Sequence, residues 1–269
     1  MQMEWTVLVD NRSGDPMFLT EHGLSVLLET DRHRILLDTG ASNRFLCNAK
    51  LLGEDLSSVD YAFISHGHSD HAGGLGCFME VNDSAKIVVS PYAVSGRFYS
   101  KRCCMHSITA QWPEIPEDRW ISVRQSCEVA DGIFVIAQIP HVHPMPKGNQ
   151  HLFVQNDAGE YEVDDFRHEL ALYVDGFLFT GCAHSGLENI LAACPGEVHT
   201  VVGGFHLLDG NETEEELSSL ASRLLASHPH TQFFTSHCTG DEVFEFMKGV
   251  MGDHIHAFSC GTKEKRICK

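Results

Sequence analysis

A chain of 269 residues with 19 Lys and Arg against 37 Asp and Glu carries a formal net charge of −18. That argues against general nucleic-acid binding, in which basic side chains must neutralise phosphates. Hydrophobic residues make up 43% and charged residues 21% of the chain, so it can bury a substantial core without disulfide staples, and no stretch approaches the roughly 18 apolar residues of a transmembrane helix.

Short apolar runs alternate with amphipathic segments, which is the pattern of an α/β protein. In chain order the runs predict strands at Trp5–Val9, Leu24–Glu29, Arg34–Leu37, Val59–Ser65, Lys86–Ser90, Ile133–Ile139, Leu170–Val174, Phe177–Thr180, Val198–Val202, Thr231–Thr235 and His254–Phe258. Helices are predicted at Ser42–Leu52, His71–Val81, Pro91–Tyr99, Leu187–Ala193, Glu214–Ala226 and Asp241–Val250. The Glu214–Ala226 segment places Leu217, Leu220, Ala221, Leu224 and Leu225 on one face, a core-facing stripe. Two stretches read as irregular, Lys101–Gln125 and Pro140–Gln150, and each either walls a substrate pocket or decorates the surface. Without a linker or low-complexity tract, one compact domain over residues 1–269 is expected. Met1-Gln2-Met3-Glu4-Trp5 has neither the basic start nor the apolar run of a secretion signal. Ten cysteines with no Cys-x-x-Cys pair suit a reducing compartment, so a cytoplasmic protein is expected.

The densest chemistry lies in Ser65-His66-Gly67-His68-Ser69-Asp70-His71, directly after a predicted strand. Imidazole and carboxylate are the usual nitrogen and oxygen ligands of zinc and similar divalent ions. His184, His206 and His237 also follow predicted strands and precede predicted helices. Ser185-x-x-Glu188, Thr213-x-x-Glu216 and Thr239-x-x-Glu242 read as capping boxes at those helix starts. In an open α/β sheet such turns gather at the carboxyl ends of the strands. His66, His68, Asp70, His71, His184, His206 and His237 are therefore expected to line one cleft. For His206, substrate contact, ligand support and metal ligation all stay open. His22 either reaches that cleft or sits in a loop. Asp38 is expected to accept a hydrogen bond from a ligand histidine rather than to bind metal.

The His66–His71 run resembles the His-x-His-x-Asp-His motif of the metallo-β-lactamase superfamily. Leu36-Leu37-Asp38-Thr39-Gly40, Glu21-His22-Gly23-Leu24-Ser25, Thr180-Gly181-Cys182-Ala183-His184-Ser185-Gly186, Gly203-Gly204-Phe205-His206-Leu207 and Ser236-His237-Cys238-Thr239-Gly240 narrow the resemblance to a branch. That branch is the dihydropterin ribofuranosylaminobenzene phosphate synthase-like one. The resemblance implies a four-layer αβ/βα sandwich and a dinuclear metal centre. The implied ligands are His66, His68, Asp70, His71, His184 and His237. Two departures stand out. The family's Thr-Gly-Asp is here Thr180-Gly181-Cys182, so Cys182 or an Asp such as Asp165 is drawn in as a ligand, and no Pro-Gly-His-Thr segment is present. A thiolate favours zinc, with one or two ions per chain expected and Mn2+ or Fe2+ as alternatives.

The leading expectation is a metal-dependent hydrolase that uses a metal-bound hydroxide on a small anionic ester, most plausibly a phosphodiester. Asp70 would orient the water and His206 would stabilise a developing oxyanion. Alternatives are synthase-type condensation as in the branch name, iron-based redox chemistry, which ranks lower, and a non-catalytic metal or ligand-binding protein.

Overall fold

The structure is a computed structural model that describes residues 2–267. The chain divides into two compact units. The first comprises residues up to Gly96, Ile108–Val123 and the chain from Ser259 onward. Its seven-stranded sheet runs in the order Lys263–Ile267, Gln2–Val9, Ser25–Thr30, Arg34–Leu37, Tyr61–Phe63, Lys86–Val89 and Trp120–Ser122. The first four strands pair antiparallel, and from Arg34–Leu37 onward pairing is parallel. Leu36, Ala62 and Ile87 are direct cross-strand neighbours. They pack with Phe45 and Ala49 of the helix Arg44–Leu52 and with Leu75 and Phe78 of the helix Leu75–Val81.

The second unit comprises Arg97–Ser107 and Arg124–Phe258. Its seven-stranded sheet runs Ile255–Ala257, Gln232–Thr235, Thr200–Val202, Phe177–Phe179, Ala171–Val174, Ile133–Ile136 and Cys127–Ala130, the first four strands parallel. Ile255, Phe233, Val201 and Leu178 lie side by side across those four strands and pack with Leu217, Ala221 and Leu224 of the helix Glu214–Ser227. That helix starts in a complete capping box between Thr213 and Glu216, as its sequence predicts. An antiparallel four-stranded sheet in the order Tyr161–Val163, Leu152–Gln155, Phe98–Lys101, Met105–Ser107 completes the unit.

Three features differ from the sequence reading. The helix expected over His71–Val81 begins earlier and is split into Ser69–Ala72 and Leu75–Val81. The break falls at Gly73-Gly74, where the backbone of residues 39–42 presses in. A Cβ on Gly73 would lie 2.5 Å from the Ala41 carbonyl oxygen, and one on Gly74 would lie 2.2 Å from that of Thr39. The helix expected over Pro91–Tyr99 ends at Ser95, beside Gly96, and Phe98 opens a strand instead. The stretch Lys101–Gln125 is not irregular throughout: Met105–Ser107 and Trp120–Ser122 are strands. Among the described residues no helix is long and apolar enough to cross a membrane.

Candidate metal centre

In the first unit, parallel pairing brings the ends of Arg34–Leu37 and Tyr61–Phe63 together, which sets Asp38 beside Ser65–His71. Asp38 is fully buried and adopts a left-handed backbone conformation, φ 56°. Its Oδ1 accepts the Ser65 backbone N–H at 2.7 Å. Its Oδ2 accepts the Ser65 hydroxyl at 2.7 Å and His71 Nδ1 at 2.6 Å. Ser65 has one hydroxyl proton and gives it to Asp38, so its Oγ accepts from His66 Nδ1, 2.8 Å away. Both imidazoles therefore carry their proton on Nδ1, and their lone pairs sit on Nε2. Asp38 accepts a hydrogen bond from a motif histidine, as expected, and the network extends through Ser65 to a second histidine.

His66, His68 and His71 are all buried, with ring centroids 4.6 Å apart for His66 and His68 and 4.2 Å apart for His66 and His71. Asp70 is more open, and its Oδ2 lies 3.5 Å from His71 Nε2 and 3.4 Å from His22 Nε2. His22 thus reaches the motif from an exposed loop. Residues Ile108–Ala110 brace the motif backbone: Ser69 N donates to the Ile108 carbonyl at 2.8 Å, and Ala110 N to that of Gly67 at 3.1 Å.

In the second unit, three successive parallel strands, Phe177–Phe179, Thr200–Val202 and Gln232–Thr235, end at one edge. Their turns carry Cys182 with His184, then His206, then His237 with Cys238. Ala183, His206 and His237 all take φ near +50° (57°, 49° and 52°), and all five side chains are buried. The ligand atoms of Cys182, His184 and His206 lie within 4.8 Å of one another, as do those of Cys182, His237 and Cys238. Burial acts to raise the Cys238 pKa, but Cys182, His206 and His237 outweigh it and hold the thiol well below its ordinary value. Both ring nitrogens of His206 are buried without a hydrogen bond.

Two of the predicted capping boxes do not form. The helices Leu187–Ala192 and Asp241–Met251 take Gly186 and Gly240 as N-caps, with no side-chain bond. Ser185 instead donates its backbone N–H to Glu169 at 2.7 Å, and the Thr239 hydroxyl accepts the Phe205 N–H at 3.0 Å. Glu169 is fully buried, and its other oxygen accepts the His184 N–H at 2.6 Å. Burial raises the pKa of its carboxyl, while these bonds from Ser185 and His184 act to lower it. Asn149 holds His184 twice, at the carbonyl (2.7 Å) and at Nδ1 (3.2 Å), and Phe166 stacks on its ring at 4.6 Å. Asp165 is exposed beside Arg167, and Asp164 accepts from the buried His168 at 3.1 Å. The sequence reading did not single out Cys238, Glu169, Asn149 or Phe166. The donors are of the kinds that divalent cations take: buried imidazoles with a carboxylate in the first unit, and imidazoles with thiols in the second.

Residues 20–147 match the sequence model described as the metallo-beta-lactamase superfamily. The chain is 28% identical over 260 residues to 7,8-dihydropterin-6-methyl-4-(beta-D-ribofuranosyl)-aminobenzene-5'-phosphate synthase of Methanocaldococcus jannaschii, covering 88% of this chain and 87% of the relative. Among solved structures, a metal-dependent hydrolase of the beta-lactamase superfamily superposes with a TM-score of 0.81 at 29% identity, over 97% of this chain and 98% of that one. A diphosphatase from the PhnP family, at 13% identity and TM-score 0.53 over 99% and 98% of the two chains, shares the fold. The α/β class, the His66–His71 motif and these likenesses converge on the metallo-beta-lactamase superfamily, whose model matches residues 20–147 of this chain.

Proposed function

We propose that the protein is a metal-dependent hydrolase of a small anionic ester, with a phosphodiester as the favoured substrate. The observation that carries this reading is the Asp38–Ser65 network, which sets the tautomers of His66 and His71 so that both lone pairs lie on Nε2. A hydrogen-bonded carboxylate behind a buried imidazole is the usual support of a metal ligand. The 29% identical structure being named a metal-dependent hydrolase supports it further. The proposed ligands are His66, His68, Asp70 and His71 in the first unit, and His184, His237 and Cys182 in the second. Zinc is the favoured ion. A bound divalent ion would supply Lewis acidity and bring the pKa of a water molecule near neutrality. Asp70, partly open to solvent, would orient that water and take up its proton. His206 would donate to a phosphate or developing oxyanion. The setting is proposed to be cytoplasmic, in keeping with thiols none of which forms a disulfide among the described residues.

The test is turnover of a panel of phosphodiesters, phosphomonoesters, thioesters and lactams by zinc-loaded protein. Phosphodiester cleavage that disappears in both Asp70→Ala and His68→Ala, with the fold intact by circular dichroism, is expected. Activity retained in both variants would overturn the mechanism. A second reading, condensation of a pterin pyrophosphate with an aminobenzene ribofuranosyl phosphate, is favoured by the 28% identical synthase. Incubation with both substrates decides it: cleavage of phosphodiesters without a joined product discards condensation.

A further inference from the structure

Cys238 is buried, as cysteines that act as small hydrophobes are. Its surroundings are not those of one. Its Sγ lies within 4.8 Å of the Cys182 Sγ and of a His237 ring nitrogen, all three buried. The same Cys182 Sγ lies within 4.8 Å of ligand atoms of His184 and His206. Two thiols and three imidazoles thus crowd one edge of one sheet. His206 has both ring nitrogens buried without a hydrogen bond, and a nearby cation would satisfy the one that carries the lone pair. Room for the Cys238 sulfur comes from Gly204, where a Cβ would lie 2.3 Å from the Sγ. Both the Cys238 and the Cys194 thiols donate to a backbone carbonyl, of Cys182 at 3.7 Å and of Ile190 at 3.4 Å, but Cys194 packs against the apolar core and Cys238 faces a second thiol and an imidazole. A buried pair of thiols beside imidazoles matches the Cys and His donor sets of zinc sites.

We propose that Cys238 is a metal ligand and that Cys182, Cys238 and His237 form a thiolate-rich site selecting zinc or another soft divalent ion over magnesium and manganese. The proposal rests on the metal-dependent reading above and names which ion it uses. Binding displaces the thiol protons of Cys182 and Cys238 to solvent, leaving two sulfur-to-metal bonds and one from imidazole. Hard cations gain little from such donors, whereas soft thiolates strongly favour zinc-like ions.

The experiment is titration of metal-free protein with Co2+, a spectroscopic stand-in for zinc, following the thiolate-to-cobalt charge-transfer absorption in the near ultraviolet. Wild type and the control Cys194→Ser should show the band in full. Cys182→Ser and Cys238→Ser should each lose about half of it, one of two thiolates being gone, and the double variant should lose it entirely. Excess zinc should displace cobalt, and magnesium should not. A full band in Cys238→Ser overturns the proposal. If that variant does not fold, X-ray absorption at the zinc edge of the wild-type protein decides: two sulfurs in the coordination shell support the site, and one or none overturns it. Cobalt bound without a thiolate band overturns this inference and leaves the metal-dependent hydrolase standing, whereas no cobalt bound at all overturns both.

Discussion

Replacing Asp38 by Asn tests the reasoning on which the first unit's histidines rest. Asp38 accepts three hydrogen bonds, one at Oδ1 from Ser65 N and two at Oδ2 from Ser65 Oγ and His71 Nδ1. An amide of the same shape has one acceptor and one donor end. With the NH2 at the Oδ1 position, the Ser65 N–H meets a donor and is left buried and unsatisfied, costing about 1–3 kcal/mol of stability. With the NH2 at the Oδ2 position, His71 Nδ1 must accept rather than donate, which moves its proton to Nε2. The Ser65 hydroxyl likewise turns to accept from the amide and donates to His66 Nδ1, moving that proton to Nε2 as well. Two ligand lone pairs are then lost together, and metal affinity should fall by about 10–100-fold or more, the range for removing such supporting partners. The assays are competition titration with a zinc chelator and chemical denaturation of metal-free protein. The variant must lose in one or the other. An Asp38→Asn protein with wild-type zinc affinity and wild-type stability would refute the tautomer argument.

Other consequences follow from the same contacts. Ser65→Ala should lower zinc affinity less than Asp38→Asn in the same titration, because it touches only the His66 branch of the network. Glu169→Ala removes the acceptor of two buried backbone N–H groups and should cost about 2–6 kcal/mol in chemical denaturation, at 1–3 kcal/mol for each. Burial raises the pKa of Glu169 above its unfolded value, so the cost of its charge is present above the folded pKa and is relieved as pH falls through it. The stability of wild type relative to Glu169→Gln should therefore rise on acidification through that window, read from Tm at a series of pH values. Thr239→Val leaves the Phe205 N–H without its acceptor and should destabilise by about 1–3 kcal/mol, measured by urea unfolding.

How far the sequence foretold the two clusters, one in each unit, depends on which groups hold each residue. The histidines of His66–His71, His184, His206 and His237 were legible because strand-to-helix turns concentrate at the carboxyl edge of parallel strands, and periodicity alone locates those turns. Cys238 escaped because a cysteine beside a histidine is chemically silent until a second thiol faces it, and Cys182 lies 56 residues away. The capping boxes misled for the same reason in reverse. Ser185 and Thr239 stand at the right spacing, but glycines with φ of 88° and 85° enter the helices instead, while Ser185 N and the Thr239 hydroxyl bond elsewhere. Glu169 is the instructive case. Asp175-Gly176, with φ of 45° and 85°, joins Ala171–Val174 to Phe177–Phe179 in an antiparallel hairpin, and Asp-Gly between two apolar runs is a strong hairpin signal. Antiparallel pairing carries the start of one strand to the end of the other. Leu172 accordingly pairs with Phe179, and residue 169 falls beside the turn that begins at Thr180. A carboxyl group delivered there meets backbone N–H groups of a turn that no helix or strand satisfies, which is why it can be buried. The position of Glu169 was thus written in a two-residue turn, although its partners were not. Asn149 and Phe166 reach His184 from segments without regular pairing, and there the sequence offers no geometric signal to follow.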